Sequence, residues 1–169
     1  MEAQASGAAA APGPDVFYMR QTIGNACGTI GVLHAVANAR GAVAIAPGSF
    51  LDTFFQATAG MDAAGRGAYL EHPPAGAPSI DAIHEAAAAQ GATAAPPPEE
   101  DVNLHFVALS HVGGRLWELD GRKAGPVDHG PTSAATLLAD AAAVVRREFV
   151  GRGGGSLQFS LIALAPAAE

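Results

Sequence analysis

Apolar residues recur along this chain with two different periods, and the change of period divides it. After Cys27, Ile30, Leu33 and Ala37 fall on one stripe with Val36 beside it, the spacing of a helix, which is expected to end near Gly41. The preceding run VFYMR, residues 16–20, is short and β-prone. Ser49 opens SFLDTFF with Asp52 three residues on, a variant of the capping box. That pattern predicts a helix from Phe50 to about Thr58, stopped by Gly60, and a further short helix is expected from Asp62 to Leu70. From residue 104 the period falls to two. Residues 104–112 alternate, Gly113-Gly114 supplies a two-residue hairpin turn, and residues 115–120 alternate again. Ser133 is read as the cap of an amphipathic helix whose stripe is Leu137, Leu138, Ala141, Val144, Val145 and Phe149. GRGGGS is then a loop, and residues 157–164 read as a last strand with Phe159 and Leu161 on one face. No internal repeat is visible.

Between the helical and alternating parts the composition changes. Residues 71–101 are rich in Pro and Ala, carry little large apolar surface and end in an acidic patch. Ser79 is placed to cap a fragile helix through DAIHEAAAAQ, stopped by Gly91. A loop this long inside a compact domain is uncommon, usually functional or disordered, and this composition favours disorder. Residues 1–15, MEAQASGAAAAPGPD, lack the basic region of a signal peptide and the arginines of a transit peptide and read as a flexible tail.

Charge and composition narrow the function. The 169 residues fit one domain with chain enough to bury a core. Nine basic residues against sixteen acidic ones give a net charge of −7, which a phosphate backbone would repel, so nucleic acid is not expected as a partner. No run of about 18 apolar residues exists to span a membrane. A single cysteine excludes an internal disulfide framework and suits a reducing compartment. The expectation is a soluble monomer of the cytoplasm, with the nucleus as a second compartment.

That cysteine lies in QTIGNACGTIGVLHAVAN, residues 21–38, at or just before the first turn of the predicted helix. Free N–H groups and the positive end of the helix dipole favour a thiolate there and make the sulfur a nucleophile. A lone cysteine is more often a small core hydrophobe. The flanking Gly24 and Gly28, polar Asn25 and upstream Gln21 count against that here, because they suit a backbone that gathers donors around a reacting carbonyl.

A thiol nucleophile needs a base and a group to orient that base. Six histidines compete. His34 is seven residues after Cys27, about 10.5 Å along the helix axis, and is too far. His72 and His84 lie in the variable loop, His129 in a Gly/Pro-bounded turn, and His111 at the hairpin tip. His105 remains. If Gly113-Gly114 is the turn, Val112 pairs with Arg115 and Val107 stands opposite Asp120. His105, Val107 and Asp120 then share a face, with His105 and Asp120 diagonal neighbours about 7–8 Å apart. A slip of one residue would separate them. Asp120 could equally be a turn residue before Gly121, and Gln21 a polar strand end.

QTIGNACGTIGVLHA, together with residues 103–130, NLHFVALSHVGGRLWELDGRKAGPVDHG, resembles the ubiquitin C-terminal hydrolases, papain-like cysteine peptidases. The resemblance runs over roughly residues 16–165. It implies an α+β fold, an antiparallel sheet flanked by helices with the cysteine at a helix N-terminus. It also implies a deubiquitinating thiol hydrolase that releases small adducts or short peptides from the C-terminal glycine of ubiquitin through a thioester. In that scheme Cys27, His105 and Asp120 are catalytic and Gln21 stabilises the oxyanion. Asn25 matches a motif residue beside the cysteine, and Val102 and Leu104 match positions flanking the groove for the ubiquitin tail. Residues 71–101 match a loop that crosses the active site and restricts the leaving group, within a catalytic domain at residues 16–169. No cofactor or metal is implied. The alternatives are a non-catalytic ubiquitin-binding remnant and a hydrolase of a ubiquitin-like modifier. Family members carry an apolar strand ahead of the QTI motif, where this chain has a low-complexity stretch. Weak or absent labelling by a ubiquitin bearing a C-terminal thiol trap is therefore expected of these 169 residues alone.

Overall fold

The computed structural model describes residues 16–77, 79–80, 105–151 and 159–165. The expected tail, most of the loop at residues 71–101 with its Ser79-capped helix, and Val102 and Leu104 lie outside them.

The helices follow the apolar spacing. Helix α1 spans Cys27–Asn38, α2 Phe50–Ala57 and α3 Ala63–Glu71. The Ser49 hydroxyl accepts from the Asp52 N–H at 3.2 Å, and Asp62 Oδ1 accepts from the Gly65 N–H at 2.7 Å, so both short helices start on a side-chain cap. The α1 stripe of Ile30, Leu33 and Ala37 packs with Phe17, Met19, Phe54, Phe55 and Leu70 in one apolar cluster. A second cluster, Tyr18, Ala108, Trp117 and Leu119, joins the sheet to the same region.

Strands β1 (Ala108–Val112), β2 (Arg115–Leu119) and β3 (Val127–Pro131) form an antiparallel sheet in sequence order. Val112 pairs with Arg115 and Ala108 with Leu119, the register that the two-glycine turn predicts. Gly113 and Gly114 adopt φ of 59° and 75°, the left-handed pair that a tight hairpin of this hand needs. Strand β3 departs from the sequence reading, which put His129 in a turn. VDHGP has no alternating apolar pattern. It is held by polar contacts instead: Asp128 with Arg115, and His129 with the buried Glu118. Its ladder shifts register between Arg115 and Trp117, with Gly130 at φ 104° in the extra residue.

Residues 16–20 are not a strand. Their backbone groups are satisfied by side chains and by other loops. The Phe17 N–H donates to Asn38 Oδ1 at 2.8 Å and the Phe17 carbonyl accepts from Asn38 Nδ2 at 2.9 Å. The Met19 N–H donates to His34 Nε2 at 3.1 Å, and the Tyr18 carbonyl accepts from Arg66 at 2.8 Å. The Arg20 N–H reaches the Ala63 carbonyl and the Gln21 N–H the Gly121 carbonyl, at 2.8 and 2.9 Å. A β-prone run becomes a latched extended segment because its donors and acceptors find helix side chains rather than a ladder.

Two further expectations are corrected near the C-terminal end. Helix α4 covers only Leu137–Val144 and continues as a π-helix over Val145–Val150. The expected stripe is not buried as one face: within the α-helical part Val144 is buried, whereas Leu138 is 69% exposed. Ser133 Oγ accepts from the Thr136 N–H at 3.3 Å, one turn before the helix proper. The described part of the expected last strand, residues 159–164, is in no sheet, and Ile162 is 90% exposed. β-Propensity does not form a strand without a ladder partner.

Two predictions follow from this packing. Gly67 lies inside α3, where Ala would ordinarily stabilise by about 1 kcal/mol, but a Cβ there would stand 2.5 Å from the Arg20 carbonyl oxygen. Gly67→Ala should therefore lower stability, by about 1–3 kcal/mol in urea unfolding, and a raised midpoint would contradict the close approach of α3 to the latched segment. His34 is fully buried, and burial pushes its pKa down to about 4 from 6.5. Between those values the unfolded chain binds a proton that the folded chain does not. Stability should thus fall by on the order of 3 kcal/mol as pH drops from 6.5 to 4. That slope should be absent in His34→Gln, as measured by denaturant midpoints across the range.

Candidate active site

Cys27 is the first residue of α1 and is 7% exposed. Its N-cap, Ala26, offers no side-chain acceptor, and no acidic residue stands in the first turn. The orphan N–H groups and positive dipole end at this terminus are therefore not neutralised by a local carboxylate. Asn25 takes φ 54°, a left-handed conformation that turns the chain sharply into the helix and that Asn tolerates better than most residues.

His105 and Asp120 meet. His105 Nε2 lies 2.7 Å from Asp120 Oδ1. Neither residue is in the ladder, which runs between Ala108 and Leu119, so the pair forms just past its end, where the register continued from Val112–Arg115 brings the two together. Asp120 Oδ1 also accepts from the Arg122 N–H at 2.9 Å, fixing the carboxylate on its own turn. Next to His105, the Phe106 ring sits on the start of α1: a Cβ at Gly28 would be 3.7 Å from Phe106 Cδ2, and one at Gly31 3.9 Å from Phe106 Cβ. The residue beside the imidazole is thus packed on the helix turn that carries the sulfur.

Gln21 is tied to the same place from the other side. Its N–H donates to the Gly121 carbonyl, and Gly121 has no room for a side chain, since a Cβ would lie 2.9 Å from Ile30 Cγ2 and 3.1 Å from Gln21 N. The Gln21 side chain donates from Nε2 to the Ile23 carbonyl at 3.0 Å, leaving the second amide hydrogen uncommitted to that bond. Its Oε1 is buried with no hydrogen-bond partner.

His34 is a packed helix histidine, as its distance along α1 from Cys27 implies. Its Nε2 accepts from Met19 N–H, which leaves the proton on Nδ1, facing the Leu119 carbonyl at 3.3 Å. The buried Glu118 carboxylate accepts from the half-exposed Lys123 and pairs with His129, the latter at 2.8 Å. Burial alone would raise the Glu118 pKa, but hydrogen bonds from His129 and Lys123 prevail and hold it below the usual carboxylate range. Among the described residues no group of three or more His, Cys, Asp and Glu side chains is arranged to hold a metal ion. No described helix is long and apolar enough to cross a membrane.

The sequence reading did not single out Tyr18, Phe106 or the close-packed Gly121. Gly121, directly after an alternating strand, carried a signal, but as a turn residue. Nothing in the local pattern reports that its Cα is wedged between Ile30 and Gln21.

With this arrangement in hand, three comparisons bear on ancestry. The sequence model described as ubiquitin carboxyl-terminal hydrolase, family 1, matches residues 2–150. Ubiquitin carboxyl-terminal hydrolase 3 of Arabidopsis thaliana is 46% identical over 150 residues, 89% of this chain and 61% of that protein. The human ubiquitin carboxyl-terminal hydrolase isozyme L1 is 44% identical over 155 residues, 92% of this chain and 66% of that protein. The chain thus spans between 61% and 66% of the length of these relatives. The Trichinella spiralis UCH37 catalytic domain, solved bound to ubiquitin vinyl methyl ester, superposes with a TM-score of 0.62 at 24% identity, over 85% of this chain and 61% of that one. This likeness shows the fold: the papain-like α+β arrangement of helices and antiparallel sheet, with Cys27 at a helix start. By the family match and the identities to its relatives, the chain belongs to the ubiquitin carboxyl-terminal hydrolase family 1.

Proposed function

We propose that the chain is a cysteine-type deubiquitinase that cleaves small adducts or short peptides from the C-terminal glycine of ubiquitin. The observation that carries this is the 2.7 Å His105–Asp120 pair, whose neighbour Phe106 packs on the helix start that bears the single cysteine.

In this scheme the 2.7 Å contact with Asp120 divides the roles of the two His105 nitrogens. Nε2–H donates to Asp120, so Nδ1 carries the lone pair and takes the thiol proton. The Cys27 thiolate attacks the scissile carbonyl carbon and forms the C–S bond, placing charge on the oxygen. The Gln21 amide and the Cys27 N–H are the proposed donors to that oxyanion, a single such donor being worth about 2.7–4 kcal/mol. His105 Nδ1–H protonates the departing amine as the C–N bond breaks. Water then gives a proton to Nδ1 and attacks the thioester, and the C–S bond breaks to release the ubiquitin carboxylate and the thiol. Asp120 holds the tautomer and stabilises the imidazolium throughout. Asn25, Val102 and Leu104 are proposed substrate contacts. The loop at residues 71–101, within a catalytic domain at 16–169, is proposed to limit the size of the leaving group.

Ubiquitin fits the charge balance as well as the ancestry: a chain of net charge −7 suits a basic tail. Binding of ubiquitin vinyl methyl ester by the Trichinella spiralis relative supports the same partner. The single cysteine is compatible with a reducing cytoplasmic setting, which the proposal includes. A ubiquitin-like modifier is the competing substrate, and relative kcat/KM on the two adducts separates them.

Cys27→Ala should abolish hydrolysis of a ubiquitin C-terminal amide while leaving the thermal transition in place. Residual turnover above about a thousandth of wild type would identify another nucleophile. Asp120→Asn, which keeps the shape and loses the charge, should lower kcat by on the order of a hundredfold or more with the fold intact. Unchanged kcat would remove Asp120 from the mechanism.

A further inference from the structure

The turn that carries Asp120 is held by a hydroxyl that the chemistry above does not use. Tyr18 is 3% exposed, and its Oη lies 2.8 Å from the Asp120 carbonyl oxygen and 2.6 Å from the Lys123 carbonyl oxygen. One phenolic proton therefore serves two acceptors at opposite ends of a four-residue turn. The Lys123 N–H closes the same turn by donating to the Asp120 carbonyl at 2.9 Å. Inside it, the Arg122 N–H donates to Asp120 Oδ1 at 2.9 Å, so the turn backbone aims the carboxylate that meets His105.

The hydroxyl is itself aimed. The Tyr18 ring stacks on His34 of α1, with centroids 5.2 Å apart and planes 13° from parallel. His34 is fixed by Met19 N–H on one ring nitrogen and the Leu119 carbonyl on the other. Burial, with a smaller contribution from Asp120, pushes the phenol up to about 12 against the opposing effect of Arg20, so it remains a donor throughout the neutral range. An unpaired hydroxyl at this depth would cost stability; here it is paired, and both its partners belong to the turn that positions Asp120.

We infer that Tyr18 is a positioning residue for the His105–Asp120 pair: its hydroxyl fixes the turn at residues 120–123, which orients the Asp120 carboxylate and thereby sets the tautomer of His105. The inference rests on the proposed hydrolase activity for its kinetic consequence, but its structural consequence can be read without turnover.

The test is Tyr18→Phe, which removes one oxygen and keeps the ring stacked on His34, with circular dichroism reporting retention of the fold. In nitrogen-15 imidazole spectra near neutral pH, His105 of the wild-type chain should carry its proton on Nε2, and the variant should show a mixture with the Nδ1–H form. On a ubiquitin C-terminal amide the variant should lose about tenfold in kcat with KM unchanged, the order expected from a small misplacement of a catalytic group. In an Asp120→Asn background, adding Tyr18→Phe should cost less than twofold more, because the group it positions is already disabled. An unchanged His105 tautomer, a loss confined to KM, or an equal fold-loss in both backgrounds would each overturn the inference. A wild-type chain that leaves ubiquitin adducts intact would defeat the hydrolase proposal alone, and the imidazole spectra would still decide the role of Tyr18.

Discussion

Two side chains on one face of α1 hold the segment before the cysteine. His34 accepts from Met19, and Asn38 both accepts from and donates to Phe17. These bonds do for residues 17–19 what a neighbouring strand would otherwise do, and they do it in the core, where an unpaired amide costs about 1–3 kcal/mol. Everything at the candidate site hangs from this latch. The segment carries Tyr18 to the Asp120 turn, Arg20 to α3 and Gln21 to Gly121. The helix that provides the latch also provides Cys27.

Cys27, Gln21 and the His105–Asp120 pair therefore come from three pieces of chain whose relative placement is fixed by buried polar bonds more than by sheet pairing. Such a network has little tolerance. His34 must stay neutral to keep accepting from Met19, and Gly121 must stay a glycine to let β2 run out against Ile30 and Gln21. Rigidity of this kind is what catalytic groups require, since their geometry has to hold within about half an ångström.

How much was legible in the sequence depended on whether the signal was local. The cap at Ser49, the α1 stripe and the two-glycine turn are decided by neighbours a few residues away, and all appear where the pattern puts them. The hairpin register was legible for the same reason: a two-residue turn leaves one pairing, and that pairing carries His105 to Asp120. What failed was decided at a distance. VFYMR has the composition of a strand, but Asn38, His34, Ala63 and Gly121 take its hydrogen bonds. VDHGP has the composition of a turn, but Glu118 and Arg115 recruit it into the sheet. The run at residues 159–164 has apolar alternation and no ladder in the described structure. The roles of Tyr18 and Phe106 were invisible because each acts through residues about a hundred or about eighty positions away.

Reaction with ubiquitin carrying a C-terminal electrophile, followed by peptide mapping, tests the central claim most directly, because it needs the sulfur, the base, the oxyanion donors and a ubiquitin-binding surface together. The account predicts an adduct of one ubiquitin per chain, formed slowly, attached at Cys27, and lost when His105 is replaced by Asn. An adduct at another residue, or an undiminished adduct in His105→Asn, would contradict it.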